Sequence, residues 1–347
     1  MNARIQSLYK IVASCFTGNA VDMDRLIEAA VNDLGGWKLL ELEIQQGLAR
    51  GPLGERYAAH KLLAGIYTVL THVPPAGVRS AEGAATMTRL RFILENAFIA
   101  TLDQSIVANM PVDVPDSSQF GEWLHDLVAL HPAGSHVAYT RYLAEEATIE
   151  DIRFYLVQES AIDANTDDFL AALQIGAPTS AKLEIAANYW DEMGEGDHNL
   201  LHSSLFQEAL KSFGIEHTET DDALTLEALI CGNLQTMLSL RREFFYLGIG
   251  YFAATEQLVP DRFRALEKGW ERVGLSRKGA DYHLLHIEVD GHHTERWYRD
   301  VVTPLAQQAF AARVEMVRGA LFRLHTSESY LNTLNERFPS QLAVDAA

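Results

Sequence analysis

His283-Leu284-Leu285-His286-Ile287-Glu288-Val289-Asp290-Gly291-His292-His293 packs four imidazoles and two carboxylates into eleven consecutive residues. On a helix advancing about 100° per residue, Asp290 sits about 40° to one side of His286 and His293 about 20° to the other. Those three side chains share a face, while Glu288 and His292 project elsewhere. Two imidazoles and one carboxylate on a single face suit iron, manganese or zinc. A solvated polar face is the plainer alternative, but Leu284, Leu285, Val289 and Trp297 make much of this helix apolar enough to bury.

A second polar cluster precedes it, Asp191-Glu192-Met193-Gly194-Glu195-Gly196-Asp197-His198-Asn199-Leu200-Leu201-His202. A straight helix would set Glu192 and His202 about 80° apart, but Gly194 and Gly196 interrupt the helix and let both side chains be aimed at one point. His198 and His202, four residues apart, are a weaker pairing that ordinary helix faces produce often. A third contribution is Glu159, an acid inside the apolar run Phe154-Tyr155-Leu156-Val157-Gln158-Glu159-Ser160-Ala161-Ile162. Buried alone it would be costly, so it needs an ion, an arginine such as Arg153, or an outward orientation. Together the clusters hold three carboxylates, Glu159, Glu192 and Asp290, and three imidazoles, His202, His286 and His293. Two divalent ions bring about +4 against the −3 of those acids, a balance that a buried site tolerates. A ferritin-like bundle would use Glu-x-x-His pairs; Glu195-Gly196-Asp197-His198 has that spacing but straddles a glycine, so that fold is rejected.

Around these clusters the pattern is helical. Apolar residues recur at three- and four-residue steps over Met23–Arg50, Tyr57–Val73 and Ala81–Val107, as amphipathic helices require. Residues 109–120 carry two prolines and a run of small polar residues, which marks the best domain boundary. Beyond it, helices are predicted over Ala138–Leu173, Thr179–Met193, Asn199–Phe213, Thr225–Leu258, Pro260–Val273, Lys278–Leu305 and Gln307–Leu324. The organisation expected is an accessory helical region over 1–108, a core domain over 119–331 and a tail over 332–347 whose last residues fray.

Composition excludes several functions. The chain has 347 residues, 48% hydrophobic, too long and apolar for disorder. Its 28 basic against 47 acidic residues give a formal charge of −19, which leaves no electrostatic footprint for nucleic acid or anionic lipid. Two cysteines, Cys15 and Cys231, make neither a disulfide framework nor a thiolate zinc site. The longest uncharged apolar run, Phe244–Ala254, is far short of the roughly 20 residues of a membrane span and reads as a buried core helix. The opening residues lack a signal-peptide pattern, so a cytoplasmic protein is expected. Gly248-Ile249-Gly250 lacks the strand and third glycine of a dinucleotide site.

At its ligand candidates the sequence resembles the haem-oxygenase-like diiron oxidases and oxygenases. The resemblance rests on an isolated glutamate on the first core helix (Glu159), a Glu-x9-His step through a glycine-containing break (Glu192 to His202) and a His-x3-Asp-x2-His helix (His286, Asp290, His293), and it covers roughly residues 119–331. It implies an all-α, seven-helix bundle without haem, in which those six side chains hold two irons that activate dioxygen with electrons from an external reductant. It implies a monooxygenase or oxidase of a small amine or amino-acid-derived substrate in specialised-metabolite biosynthesis, with N-oxygenation as the first expectation. Desaturation, C–N cyclisation or C–C cleavage of an aliphatic amino or fatty acid is the alternative. Relatives with an extra helical region use it to dimerise, which makes residues 1–108 the expected homodimer contact.

Some relatives add a carboxylate seven residues after the first ligand of the glycine-broken step. Asn199 stands there in this sequence, which leaves Glu195 or Asp197 as substitutes, or a smaller coordination. Manganese–iron and dimanganese centres use similar ligands. Tyr155, Tyr189, Tyr282 and His283 lie within a turn of the expected ligands, as outer donors, pocket walls or plain core. Glu256 could face the same cavity and bind a substrate amine. A helical protein that binds a metal or small molecule without turnover is the competing class.

Overall fold

The computed structural model describes residues 2–14, 22–216 and 223–337; within them the side chains of residues 2, 3 and 288–291 lie outside the description, Asp290 included. Cys15 and the segment 338–347, where fraying was expected, also fall outside it. Every regular element among the described residues is helical, and the chain divides into two compact units, Met1–Val107 and Ala108–Ala347. No helix among the described residues is long and apolar enough to cross a membrane.

The first unit holds α1 (Asn2–Ala13), α2 (Met23–Asp33), α3 (Trp37–Arg50), α4 (Leu53–Thr71) and α5 (Ala85–Ile106). Periodicity alone predicts one helix over Met23–Arg50, but Gly35 and Gly36 take φ of 92° and 90° and split it. Buried here are Glu95, which accepts a hydrogen bond from the Tyr67 hydroxyl at 2.9 Å, and His60, edge-on to Phe98. Burial, aided by the charge of Arg56, pushes the His60 imidazole down to about 3. Its unfolded value is about 6.5, so the fold favours the neutral ring: stability is complete above pH 6.5 and falls as pH drops from 6.5 toward 3. The slope attributable to this residue is about 1.4 kcal/mol per pH unit. His60→Phe is expected to flatten the acid limb of a melting-temperature profile across that window by that amount.

The second unit contains α6 (Phe120–Ala129), a π-helical segment (Ala138–Glu146), α7 (Ile149–Glu159), α8 (Thr166–Leu173), α9 (Thr179–Glu192), α10 (His202–Ser212), α11 (Leu226–Leu240), α12 (Phe245–Arg272), α13 (Asp281–Arg296), a second π-helical segment (Trp297–Val302), α14 (Thr303–Ala306) and α15 (Phe310–Arg337). A reciprocal capping box between Thr148 and Asp151 starts α7. The long α12 runs through the middle. Phe263 packs on His283 and the Trp297 indole donates to the Ile249 carbonyl, so α13 lies antiparallel along it. On its other side α15 runs parallel to it, with Arg323 donating to the Thr255 hydroxyl and Gly319 against Leu247.

Other predicted boundaries move too: Ala138–Leu173 is broken into a π segment, α7 and α8, and the helix expected over Gln307–Leu324 runs from Phe310 to Arg337. Thr225–Leu258 breaks at Arg241, whose extended backbone ends α11. The expected start at Pro260 is absent, since Pro260 sits inside α12. Proline has no N–H for the carbonyl four residues back, that of Glu256; the Thr294 hydroxyl of α13 donates to that oxygen at 2.9 Å instead. Thr294→Val is expected to cost about 1 to 2 kcal/mol in thermal unfolding and Thr294→Ser much less. An unchanged Thr294→Val protein would show that the helix tolerates the lost donor.

Candidate metal centre

Glu192, the last residue of α9, His202, the first of α10, and His286, on α13, are buried and converge, their donor atoms all within 4.8 Å of one another. The turn between Glu192 and His202 makes this possible: Gly194, Glu195 and Gly196 take φ of 62°, 51° and 90°, and a Cβ on Gly194 would lie 2.5 Å from the Leu200 carbonyl carbon. Glycine is the residue for such a backbone.

The contacts within the triad are those of electron-rich atoms facing one another. The His286 Nδ1 lies 2.7 Å from the Tyr282 carbonyl, which only accepts, so Nδ1 carries the proton and donates. The lone pair of Nε2 is thereby turned toward Glu192 Oε1, 3.7 Å away. His202 Nδ1 sits 2.8 Å from Glu192 Oε2 yet lacks hydrogen-bond geometry to any partner. One carboxylate and two imidazoles aimed at a common point fit a divalent cation of the iron, manganese or zinc kind.

The other expected ligands are placed differently. His293 is buried with its Nε2 2.8 Å from Asp191 and its Nδ1 3.5 Å from Glu256, so each ring nitrogen faces a carboxylate. Glu159 is paired with Arg262 rather than Arg153. Of the two substitutes for the extra carboxylate, Asp197 is exposed and accepts from both the backbone and the side-chain amide of Asn199, while Glu195 lies on the cavity wall beside the triad.

The flanking candidates also find places. The Tyr282 ring packs 4.3 Å from His286. His283, enclosed by Phe263, Trp270 and Tyr282, has no hydrogen-bond partner on either nitrogen and is pushed down to about 3 by burial and then by the charge of His286, so it is a neutral ring of the core. Tyr155 is buried edge-on to Tyr139, and Tyr189 is half-buried on α9.

A cavity of about 670 Å³ opens on this centre, its wall including Asp191, Glu195, His202, Leu285, His293 and Arg296. Sequence reading missed several residues here. Glu184, on the Glu192 face of α9, pairs with Arg296 at 2.9 Å; burial raises its carboxyl against the pull of that arginine. The four-residue spacing of Glu184, Asn188 and Glu192 signals that face; the pairing with Arg296 had no signal. Asp163 and Arg262, discussed below, had none either.

Residues 153–328, which include every expected ligand from Glu159 to His293, match the family described as iron-containing redox enzymes. The chain belongs to that family. Its haem-oxygenase-like, all-α character agrees with the helices described above. Within this iron-containing redox family the chain is similar to the nitrosourea synthase of Streptomyces achromogenes subsp. streptozoticus, 29% identical over 133 residues. That alignment takes in 37% of this chain and spans 28% of the relative's length.

Proposed function

We propose that this iron-containing redox enzyme is an oxygen-dependent, non-haem diiron oxygenase that oxidises the nitrogen of a small amine or amino-acid-derived substrate in a biosynthetic pathway. The observation that carries the reading is the buried Glu192–His202–His286 set beside a cavity large enough for such a molecule. Those three residues would hold one ion; Glu159, Asp290 and His293 are the side chains proposed for a second. When bound, the irons supply electrons to dioxygen and the oxidising equivalents that reach the substrate. The protein's part is to fix His286 through the Tyr282 carbonyl and to line the centre with Phe206, Phe263 and Leu285 against bulk water. Asp191 and Glu195 put negative charge on the cavity wall, where a cationic group of the substrate other than the nitrogen to be oxidised is held.

The likeness to a nitrosourea synthase favours nitrogen oxidation over desaturation or C–C cleavage. In the same reading an external donor supplies electrons and residues 1–108 form a homodimer contact in the cytoplasm; sedimentation of the full chain measures the dimer. The deciding experiment exposes anaerobically reduced, iron-loaded protein to oxygen with candidate amines. Products heavier by one or more oxygens on nitrogen support it, a loss of two hydrogens turns the reading to desaturation, and iron binding without oxygen uptake turns it to a non-catalytic metal protein.

A further inference from the structure

A second cluster of buried ionisable groups surrounds the end of α7. Glu159 and Arg262 are 1% and 4% exposed, and the guanidinium reaches the carboxylate through one nitrogen, Nη2, at 3.3 and 3.4 Å from its two oxygens. That is long for a charge-assisted bond, and it forgoes the two-nitrogen fork that arginine makes with a committed carboxylate partner. Arg262 Nε has no partner at all, and the guanidinium lies over the Tyr139 ring, 4.9 Å from its centre.

The surroundings are equally unsatisfied. Half-buried Asp163, one turn beyond Glu159, has a buried Oδ2 close to Glu159 but without a well-formed hydrogen bond. The hydroxyls of Tyr330, beside Glu159, and of Tyr139 and Tyr155, beside each other, also lack one, these three residues being at most 2% exposed. Buried polar atoms are normally paired, so several orphans around one carboxylate call for an occupant that brings its own hydrogen-bonding shell. The turn carrying Asp163 packs against α10, the helix that begins with His202.

We propose that Arg262 is the resident counter-ion of Glu159, and that a second divalent cation binds beside the Glu192 triad only by taking Glu159 from it, with Asp163 as a further ligand. Metal loading is then ordered: the triad fills first, and the second ion competes with a guanidinium. This rests on the two-metal reading given above and adds to it a competitor, Arg262, and a ligand, Asp163, that the family motif does not contain.

Mn2+ titration of the metal-free full-length protein, with free Mn2+ read by electron paramagnetic resonance, tests it without any turnover. The wild type is expected to show a tight class and a second class at least tenfold weaker. Arg262→Met should tighten the second class tenfold or more and leave the first alone, and Asp163→Asn should weaken the second class alone by a similar factor. Because Arg262→Met leaves Glu159 buried and uncompensated without metal, its melting temperature is measured as well: Mn2+ should raise it by more than it raises that of the wild type. Two equally tight classes in the wild type, or an unchanged second class together with an equal Mn2+ shift in Arg262→Met, overturn this inference and leave the two-metal reading standing. A missing tight class, or one indifferent to His202→Ala, overturns that reading and this inference with it.

Discussion

Protein carrying His202→Ala, His286→Ala or Glu192→Gln is expected to purify with less than about one tenth of the wild type's iron while keeping its helical circular dichroism. Loss of a group that merely orients a ligand weakens metal binding about 10- to 100-fold, and loss of a ligand itself does at least as much. The metal-free fold should tolerate the changes. The triad is a poor adhesive in its own right, since His202 Nδ1 lies against Glu192 without a hydrogen bond and the Nε2 lone pair of His286 faces the same carboxylate. Iron content by elemental analysis, set beside the melting temperature of chelated protein, separates the two roles. Unchanged iron in all three variants would remove Glu192, His202 and His286 from the metal centre.

The largest stability effect is expected from two glycines where α12 and α15 touch. A Cβ on Gly250 would lie 1.8 Å from the Met316 carbonyl oxygen, and one on Gly319 1.9 Å from that of Leu247. The contacts are reciprocal, each glycine meeting the carbonyl three residues before the other. Helix propensity alone predicts that Gly→Ala stabilises by about 1 kcal/mol, so the sign of the change is diagnostic. Backbone cannot step aside as a side-chain tip can, and the helices must separate by more than an ångström; Gly250→Ala and Gly319→Ala should each cost about 3 kcal/mol. For a unit of this size that lowers the melting temperature by about 6 to 12 °C. A stabilised Gly319→Ala protein would show that the two helices are not held this close.

Local spacing carried much of the site. Glu192, His202 and His286 could be named from the sequence because two glycines marked the bend between the first pair and a helical repeat singled out the third. The need of Glu159 for a partner was legible too, since a carboxylate in an apolar run is costly. Which partner was not: Arg262 lies 103 residues on, and nothing local distinguishes it from Arg264, which is exposed and bound to Asp261. Asp163 escaped notice because its significance is a buried oxygen without a well-formed hydrogen bond. Helix ends were misread where tertiary contacts overrule local grammar. Pro260 punctuates a sequence, but Thr294 supplies the missing donor and the helix continues; Gly35-Gly36 lies within a good apolar repeat and still splits it.

The π-helical turn over Trp297–Val302 gives this region a particular relation to change in chain length. A π turn holds one residue more than an α turn. Removing a residue there would let the backbone relax into ordinary helix and leave what lies beyond it in place, whereas removing one from the α-helix just before it would rotate everything beyond by about 100°. Val301, Val302, Leu305 and Ala306, all now fully buried, would swing toward water. Single substitutions at the exposed positions of this segment, such as Arg299, should be neutral drift, whereas a one-residue deletion in the α-helix before it acts at once on the whole approach to α15. Descendants of this sequence are thus free to vary in residue type on that surface and bound in residue number beneath it.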